Sequence, residues 1–339
     1  MRAAYCTGTG TFEVRDREVP EPGPDDVIVR VHGCGVCGSD LHYFHGGFPP
    51  PAACPGHEIA GVITAAPAGS GLRSGQEVTI EPLVVCGVCS HCRTGNYQIC
   101  PRFCVIGNAV DGGFAEYVRV PSYAVYPLPP GVDLELGGLT EPLAVAVHAL
   151  RLARLEPGDR VLVLGGGTIG LMAVAAARAA GAGEVWITAR HAQQEEAAQR
   201  LGATRVFRGA GAADELRAAA RGDAVDVVIE TVGGTAGTLG DAVRLARRGG
   251  TVMVLGIFTE EPRLDATTLV MKEIRLIGSM TYGRSGARTD FERALALLAA
   301  NPDPFRALIT HRIPLEEIAR AFAVAGDKGS GAIKVQVRC

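Results

Sequence analysis

The chain has 339 residues, 47% of them hydrophobic and 20% charged, with a formal net charge of -3. That length suits two domains, and the charge balance excludes the basic surface that binding to nucleic acid requires. The longest apolar run, residues 171–177, is far too short to span a bilayer, and residues 1–5 carry no apolar signal core, so a cytoplasmic protein with no membrane partner is expected.

In chain order, residues 1 to about 120 read as short alternating runs, at 26–31, 59–65, 76–80 and 115–120, broken by glycine and proline; this is the pattern of a β-rich domain. Pro20 to Pro24 is a rigid turn within it. After the first run comes Val36-Cys37-Gly38-Ser39-Asp40-Leu41-His42, followed by Pro55-Gly56-His57-Glu58 and later by Thr140-Glu141-Pro142. A thiolate, an imidazole and two carboxylates suit zinc with a position left for water or substrate. Ser39 and His42 beside them are the parts needed to carry a proton away from the reacting oxygen.

Ten cysteines in a chain without an export signal favour metal binding over disulfides. Cys86, Cys89, Cys92 and Cys100 have the spacing C-x2-C-x2-C-x7-C, which closes four thiolates around one structural zinc and leaves no open position. His91 within the run is expected at the surface. Cys34 and Cys37 form a C-x-x-C pair, but no thioredoxin-like pattern surrounds them; Cys6, Cys34, Cys54, Cys104 and Cys339 are expected to be buried or incidental.

From about residue 160 strands alternate with helices, at 161–164, 184–188, 205–207, 225–230, 251–255 and 273–277, as in a doubly wound parallel sheet. The first of these strands ends in Gly165-Gly166-Gly167-Thr168-Ile169-Gly170 and a small-residue helix follows, the context that gives a G-x-G-x-x-G its meaning. Its glycines let backbone approach a pyrophosphate at a helix N-terminus. Thr231, Val232 and Leu255 are further candidate cofactor contacts. The remainder holds helices at 290–300 and 315–324 and a strand at 332–337, too short a piece to be a domain.

Cys37-Gly38-Ser39-Asp40-Leu41-His42-Tyr43, Gly56-His57-Glu58, the four-cysteine lobe, the stretch from Glu141 to Ala149 and the glycine fingerprint together resemble the zinc-dependent medium-chain dehydrogenase/reductase (alcohol dehydrogenase) family. Within that family the chain looks most like the sorbitol (polyol) dehydrogenase branch. The resemblance implies an α/β protein: a GroES-like β-rich catalytic domain over 1–145 with its zinc lobe at 86–100, a Rossmann dinucleotide-binding domain over 146–278, and a return to the first domain over 279–339. It implies two zinc ions per chain, the catalytic one held by Cys37, His57 and either Glu58 or Glu141. The partner implied is a small-molecule alcohol or its ketone, and a homo-oligomer, dimer or tetramer, is expected. Ser39 would take the alcohol's proton and pass it through the cofactor ribose to His42.

The resemblance also marks two departures. Where the polyol enzymes carry an Arg-Tyr pair after the last Rossmann strand, this chain has Thr281-Tyr282, so a less hydroxylated secondary alcohol is an alternative substrate; Tyr43, Phe44 and Phe114 are candidates to line the pocket. In addition, the second Rossmann strand ends in Ala189-Arg190 where an acid normally accepts the adenosine ribose of NAD. Arg190 offers a cationic fork to a 2'-phosphate, so NADP(H) is expected in preference to NAD(H), with Gln193, Gln194 and Arg205 as possible added donors. A threonine-type amino-alcohol dehydrogenase and a non-catalytic dinucleotide sensor are the competing functions.

Overall fold

The computed structural model describes residues 1–222 and 224–339. These form two compact units, Met1–Glu141 with Gly283–Cys339, and Pro142–Tyr282.

The first unit is β-rich. Its main sheet orders the strands Ile309–Pro314, Lys334–Arg338, Asp26–Gly35, Glu58–Ala65, Glu77–Ile80 and Val125–Pro127, with Tyr117–Pro121 also pairing to Asp26–Gly35. Val27, Val29 and Val31 point one way from the long strand and join Ile59, Ile63, Val78, Phe114 and Phe322 in one core. Register matters more than strand count here. Gly35 lies opposite Glu58 on one neighbour and opposite Gln336 on the other, so the end of the long strand, the start of the next and the C-terminal strand converge on one point.

The second unit carries six parallel strands in the order Arg205–Arg208, Glu184–Ala189, Arg160–Leu164, Val227–Glu230, Thr251–Val254 and Arg275–Gly278. Val161, Leu162, Val163, Val228 and Ile229 are buried, as expected of central strands covered on both faces, and this is why they read as unbroken apolar runs. All six expected strands are present. The sequence order reverses between Arg160–Leu164 and Val227–Glu230, the crevice where open α/β sheets bind ligands.

Several elements were not visible in the sequence. The hairpin of Arg2–Gly8 with Thr11–Asp16 precedes the first expected strand, and Ile309–Pro314 forms a strand before the last helix. That helix runs Ile318–Gly326 after a 3-10 turn at Leu315–Glu317, because Pro314 ends the strand and residues 315–317 only turn the chain. Ala115 makes an isolated bridge to Ala3, and the ladder itself runs Tyr117–Pro121. Among the described residues no helix is long and apolar enough to cross a membrane.

Candidate active site

The convergence point of the first unit holds the expected ligand residues. Cys37 is the N-cap of the helix Gly38–Phe44, and Asp40 at its third position folds back so that its Oδ2 accepts the Cys37 N–H at 3.0 Å. Donor atoms of Cys37, His57 and Glu58 all lie within 4.8 Å of one another. Glu141, in the first turn of the helix Thr140–Ala153, stands outside that set but is buried and within electrostatic reach of His57 and Glu58.

Two further residues complete the arrangement. Lys334 is 3% exposed, and its Nζ donates to Glu58 Oε1 at 2.6 Å and to the Val36 carbonyl at 3.0 Å. Asp40 Oδ1 lies 3.6 Å from His57 Nδ1. Sequence reading missed both roles. Asp40 sat inside the motif without an assignment, and the one usable signal for Lys334 was a cation beside Ala332 and Ile333 at the start of the final strand. Gly35 belongs to the same device: a Cβ there would overlap Glu58 Oε2, so only glycine lets the carboxylate lie against the strand.

The electrostatics test whether a cation suits this pocket. Burial pushes Glu141 up to about 7, and burial likewise raises Asp40 against the pull of His57. Burial opposes a charge on His57, but Asp40, Cys37 and Glu141 overcome it and hold the imidazole well above its ordinary range. Lys334 is treated the same way, burial opposing and Glu58 and Cys37 prevailing, so its pKa is raised. Glu58 Oε2 and Asp40 Oδ1 are buried with no hydrogen-bond partner. A thiol, an imidazole and an unpartnered carboxylate oxygen, in a pocket with surplus negative charge, fit a zinc ion.

Loss of Lys334 strands the buried Glu58 carboxylate. Lys334→Met is expected to lower unfolding stability by about 3–5 kcal/mol, and adding Glu58→Gln should recover most of it. Denaturant midpoints measure both, and an unshifted midpoint in the single variant would contradict the pairing.

The four-cysteine lobe is equally consistent with a metal. Cys100 and Cys86 sulfurs are 3.5 Å apart, Cys89 and Cys92 3.5 Å, and Cys86 and Cys92 3.8 Å. Tetrahedral bonds of about 2.3 Å place sulfurs about 3.8 Å from each other, so the cluster has the size of a tetrathiolate zinc centre. Backbone N–H groups of Val88 and Cys89 lower the Cys86 thiol to about 5, whereas burial and the neighbouring sulfurs raise Cys92 to about 12. His91 is exposed, as expected. Cys34 is fully buried and burial drives its thiol far upward, so Cys34 is not a reactive partner for Cys37.

Ser39 and His42 stand one turn apart on the helix Gly38–Phe44, hence on one face, and His42 packs edge-on against Phe48 with ring centres 5.3 Å apart. The pocket-lining expectation needs correction. Phe114 is fully buried and Phe44 packs on Phe12 and Phe322, so both serve the core of the first unit. Tyr43 is half-buried, and its hydroxyl accepts a hydrogen bond from Asn108 Nδ2 at 2.7 Å.

In the second unit each fingerprint glycine has its own reason. Gly165 has φ of +114°, and a Cβ on Gly170 would overlap the Gly165 carbonyl oxygen. A Cβ on Gly167 would meet nothing within 4 Å, so that face of the turn is open to a ligand. Thr168 and Ile169 begin the helix Thr168–Ala179, with Leu171 N bonding back to the Gly167 carbonyl at 2.9 Å. Thr231 Oγ1 donates to the Leu164 carbonyl at 2.9 Å, Val232 is 39% exposed, and Leu255 follows the strand Thr251–Val254. Ala189, 8% exposed, and the exposed Arg190 line a cavity of about 740 Å³ with Leu164, Thr188, Phe207 and Thr238. Of the possible added donors, Gln194 has its side-chain amide oriented by Arg190 N and His191 N, which donate to its carbonyl oxygen at 2.9 and 3.2 Å, and Arg205 stacks over Phe207 and Trp186.

Comparison with known proteins agrees with this geometry. The family model described as alcohol dehydrogenase GroES-like domain matches residues 23–130, and that described as zinc-binding dehydrogenase matches 168–300. An L-galactonate-5-dehydrogenase of Escherichia coli (strain K12) is 34% identical over 95% of this chain and 94% of its own. A sorbitol dehydrogenase of Bacillus subtilis (strain 168) is 32% identical over 99% of this chain and 97% of its own. Among solved structures, a proposed zinc-binding dehydrogenase of Sinorhizobium meliloti 1021 bound to NADP superposes with a TM-score of 0.88 at 35% identity, covering 100% of this chain and 99% of its own. With a GroES-like β-rich unit, a Rossmann unit and relatives matched along nearly their whole length, this chain belongs to the zinc-dependent medium-chain dehydrogenase/reductase (alcohol dehydrogenase) family.

Proposed function

We propose that this oxidoreductase transfers a hydride between a secondary alcohol or polyol, with its ketone, and a nicotinamide cofactor, NADP(H) in preference to NAD(H). The observation that carries the reading is the convergence of Cys37, His57 and Glu58 donors within 4.8 Å, with Glu58 Oε2 buried and unpartnered. Cys37, His57 and Glu58 would hold the catalytic zinc, with Glu141 beside it, and Cys86, Cys89, Cys92 and Cys100 a structural one, two ions per chain. When bound, zinc supplies the Lewis acidity that lowers the pKa of an alcohol.

The chain's own residues do the rest. Lys334 fixes the Glu58 carboxylate, and Asp40 orients His57 from behind. Ser39 accepts the alcohol's proton, and His42 on the same helical face carries it onward to solvent. The Pro142–Tyr282 unit is the dinucleotide-binding domain of this proposal, with the open face at Gly167 turned to the pyrophosphate. Thr281 in place of an arginine leaves room for simple secondary alcohols as well as polyols. A cytoplasmic location and a homodimer or homotetramer belong to the same reading, and the assembly is supported by Val270 and Met271, each 70% exposed at the end of the helix Ala266–Met271 that precedes the edge strand Arg275–Gly278.

The test is turnover with NADP+ and NAD+ across polyols, simple secondary alcohols and amino alcohols. Polyols or secondary alcohols should be oxidised, and Ser39→Ala should slow the step by about 10²-fold or more, the usual contribution of a positioned proton acceptor. Turnover confined to amino alcohols would replace this reading with the threonine-type one; no turnover at all would reject both.

A further inference from the structure

At the carboxyl end of the strand Val227–Glu230 lies a buried charge that the reaction itself does not use. Glu230 has no exposed surface, and its Oε1 accepts hydrogen bonds from Val232 N at 2.8 Å, Gly233 N at 3.0 Å and Thr238 Oγ1 at 2.6 Å. Two successive backbone amides and a hydroxyl thus form a small anion-binding concavity, filled by the chain's own carboxylate. Its Oε2 is buried without a partner, against Gly256.

The turn that Glu230 gathers is locked onto a second one. Gly233 and Gly234 both have φ of +60°, Gly234 N donates to the Ile257 carbonyl at 2.8 Å, and Thr259 N donates to the Gly234 carbonyl at 3.1 Å. A Cβ on Gly233 would collide with the Ile257 backbone, and one on Gly256 with Glu230 Oε2. The Glu230 carbonyl itself accepts Leu255 N at 2.9 Å, and Thr231 Oγ1 reaches across to the Leu164 carbonyl at the start of the glycine turn. Three strand ends are therefore tied together at the point where strand order reverses, and Glu230 is the charged group at their centre.

We propose that Glu230 is a positioning residue of the dinucleotide site, holding the 231–238 turn in the shape that receives the cofactor. Isolated burial of a carboxylate is unfavourable, so its three donors must be drawn in around it, and this draws in the turn. The inference rests on the reading of this unit as the dinucleotide domain.

Calorimetric titration of the whole chain with NADP+ tests the two separately. If the parent binds neither NADP+ nor, in the same titration, NAD+, the dinucleotide reading fails and this inference with it; otherwise Kd is read with the cofactor the parent binds. With the parent binding, Glu230→Ala is expected to raise Kd about 10-fold or more, with the loss falling on Kd and KM more than on kcat. Glu230→Gln, which keeps an acceptor oxygen, should recover most of it. Thr238→Val removes a single bond to the carboxylate and serves if Glu230→Ala does not fold; a rise of about 3-fold is expected. Parent-like Kd in folded Glu230→Ala, or in Thr238→Val where that variant is the one available, overturns the proposal. So does a fall in Tm alone.

Discussion

Cys37→Ala is expected to reduce kcat/KM by about 10³-fold or more while the protein keeps its fold. Zinc Lewis acidity stabilises developing charge by several kcal/mol, and at 1.36 kcal/mol per tenfold about 4 kcal/mol is a thousandfold. Cys37 sits at a helix N-cap at the edge of the first unit's core, and Asp40 accepts its backbone N–H, a bond that alanine retains. Circular dichroism and thermal unfolding of the variant should therefore resemble the parent. Cys89→Ala makes the opposite case. The lobe has little apolar core of its own, so loss of one thiolate should loosen the fold first and lower activity only as a consequence. Near-parental turnover in Cys37→Ala would remove the thiolate from the reacting centre.

The second large effect concerns cofactor choice. Ala189→Asp/Arg190→Leu is expected to move the ratio of kcat/KM for NADP+ over NAD+ by about 10-fold or more toward NAD+, the size of a lost charge-assisted bidentate contact. An aspartate at 189 would repel a 2'-phosphate and accept a ribose hydroxyl instead. The structure narrows the residues that can act here. Arg205 is stacked on aromatic rings, and Arg208 is paired with Glu195. Arg190 is exposed, lines the cavity and forms no ion pair among the described residues. A parent that favours NAD+, or a double variant with unchanged preference, would mean that these two positions do not choose the cofactor.

What could be read from the sequence was what sequence keeps local. Central parallel strands are buried on both faces, so Val161 to Leu164 and Val227 to Ile229 stand out as apolar runs. The cysteine spacing, the His57-Glu58 pair and the glycine fingerprint are likewise contained in short stretches. Non-local pairing was not legible. Lys334 meets Glu58 across 276 residues, only because the C-terminal strand returns beside Asp26–Gly35 in a particular register. Nor does the sequence say that Gly35 is small so that the Glu58 carboxylate fits, or that Phe44 and Phe114 turn inward. Glu230 ended a predicted strand as a single letter; its three donors come from the turn that follows, whose shape no periodicity encodes. The acidic member of the metal set stayed open for the same reason, and the positions of Glu58 and Glu141 support Glu58.

The proposed chemistry requires one metal at Cys37, His57 and Glu58 and another in the cysteine lobe. Metal analysis of protein purified without chelator measures this directly, on the parent and on Cys37→Ala. Two zinc ions per chain are expected in the parent and one in the variant, with alcohol oxidation lost in step with the missing ion. A parent with a single zinc that remains fully bound in Cys37→Ala, with oxidation undiminished, would contradict it.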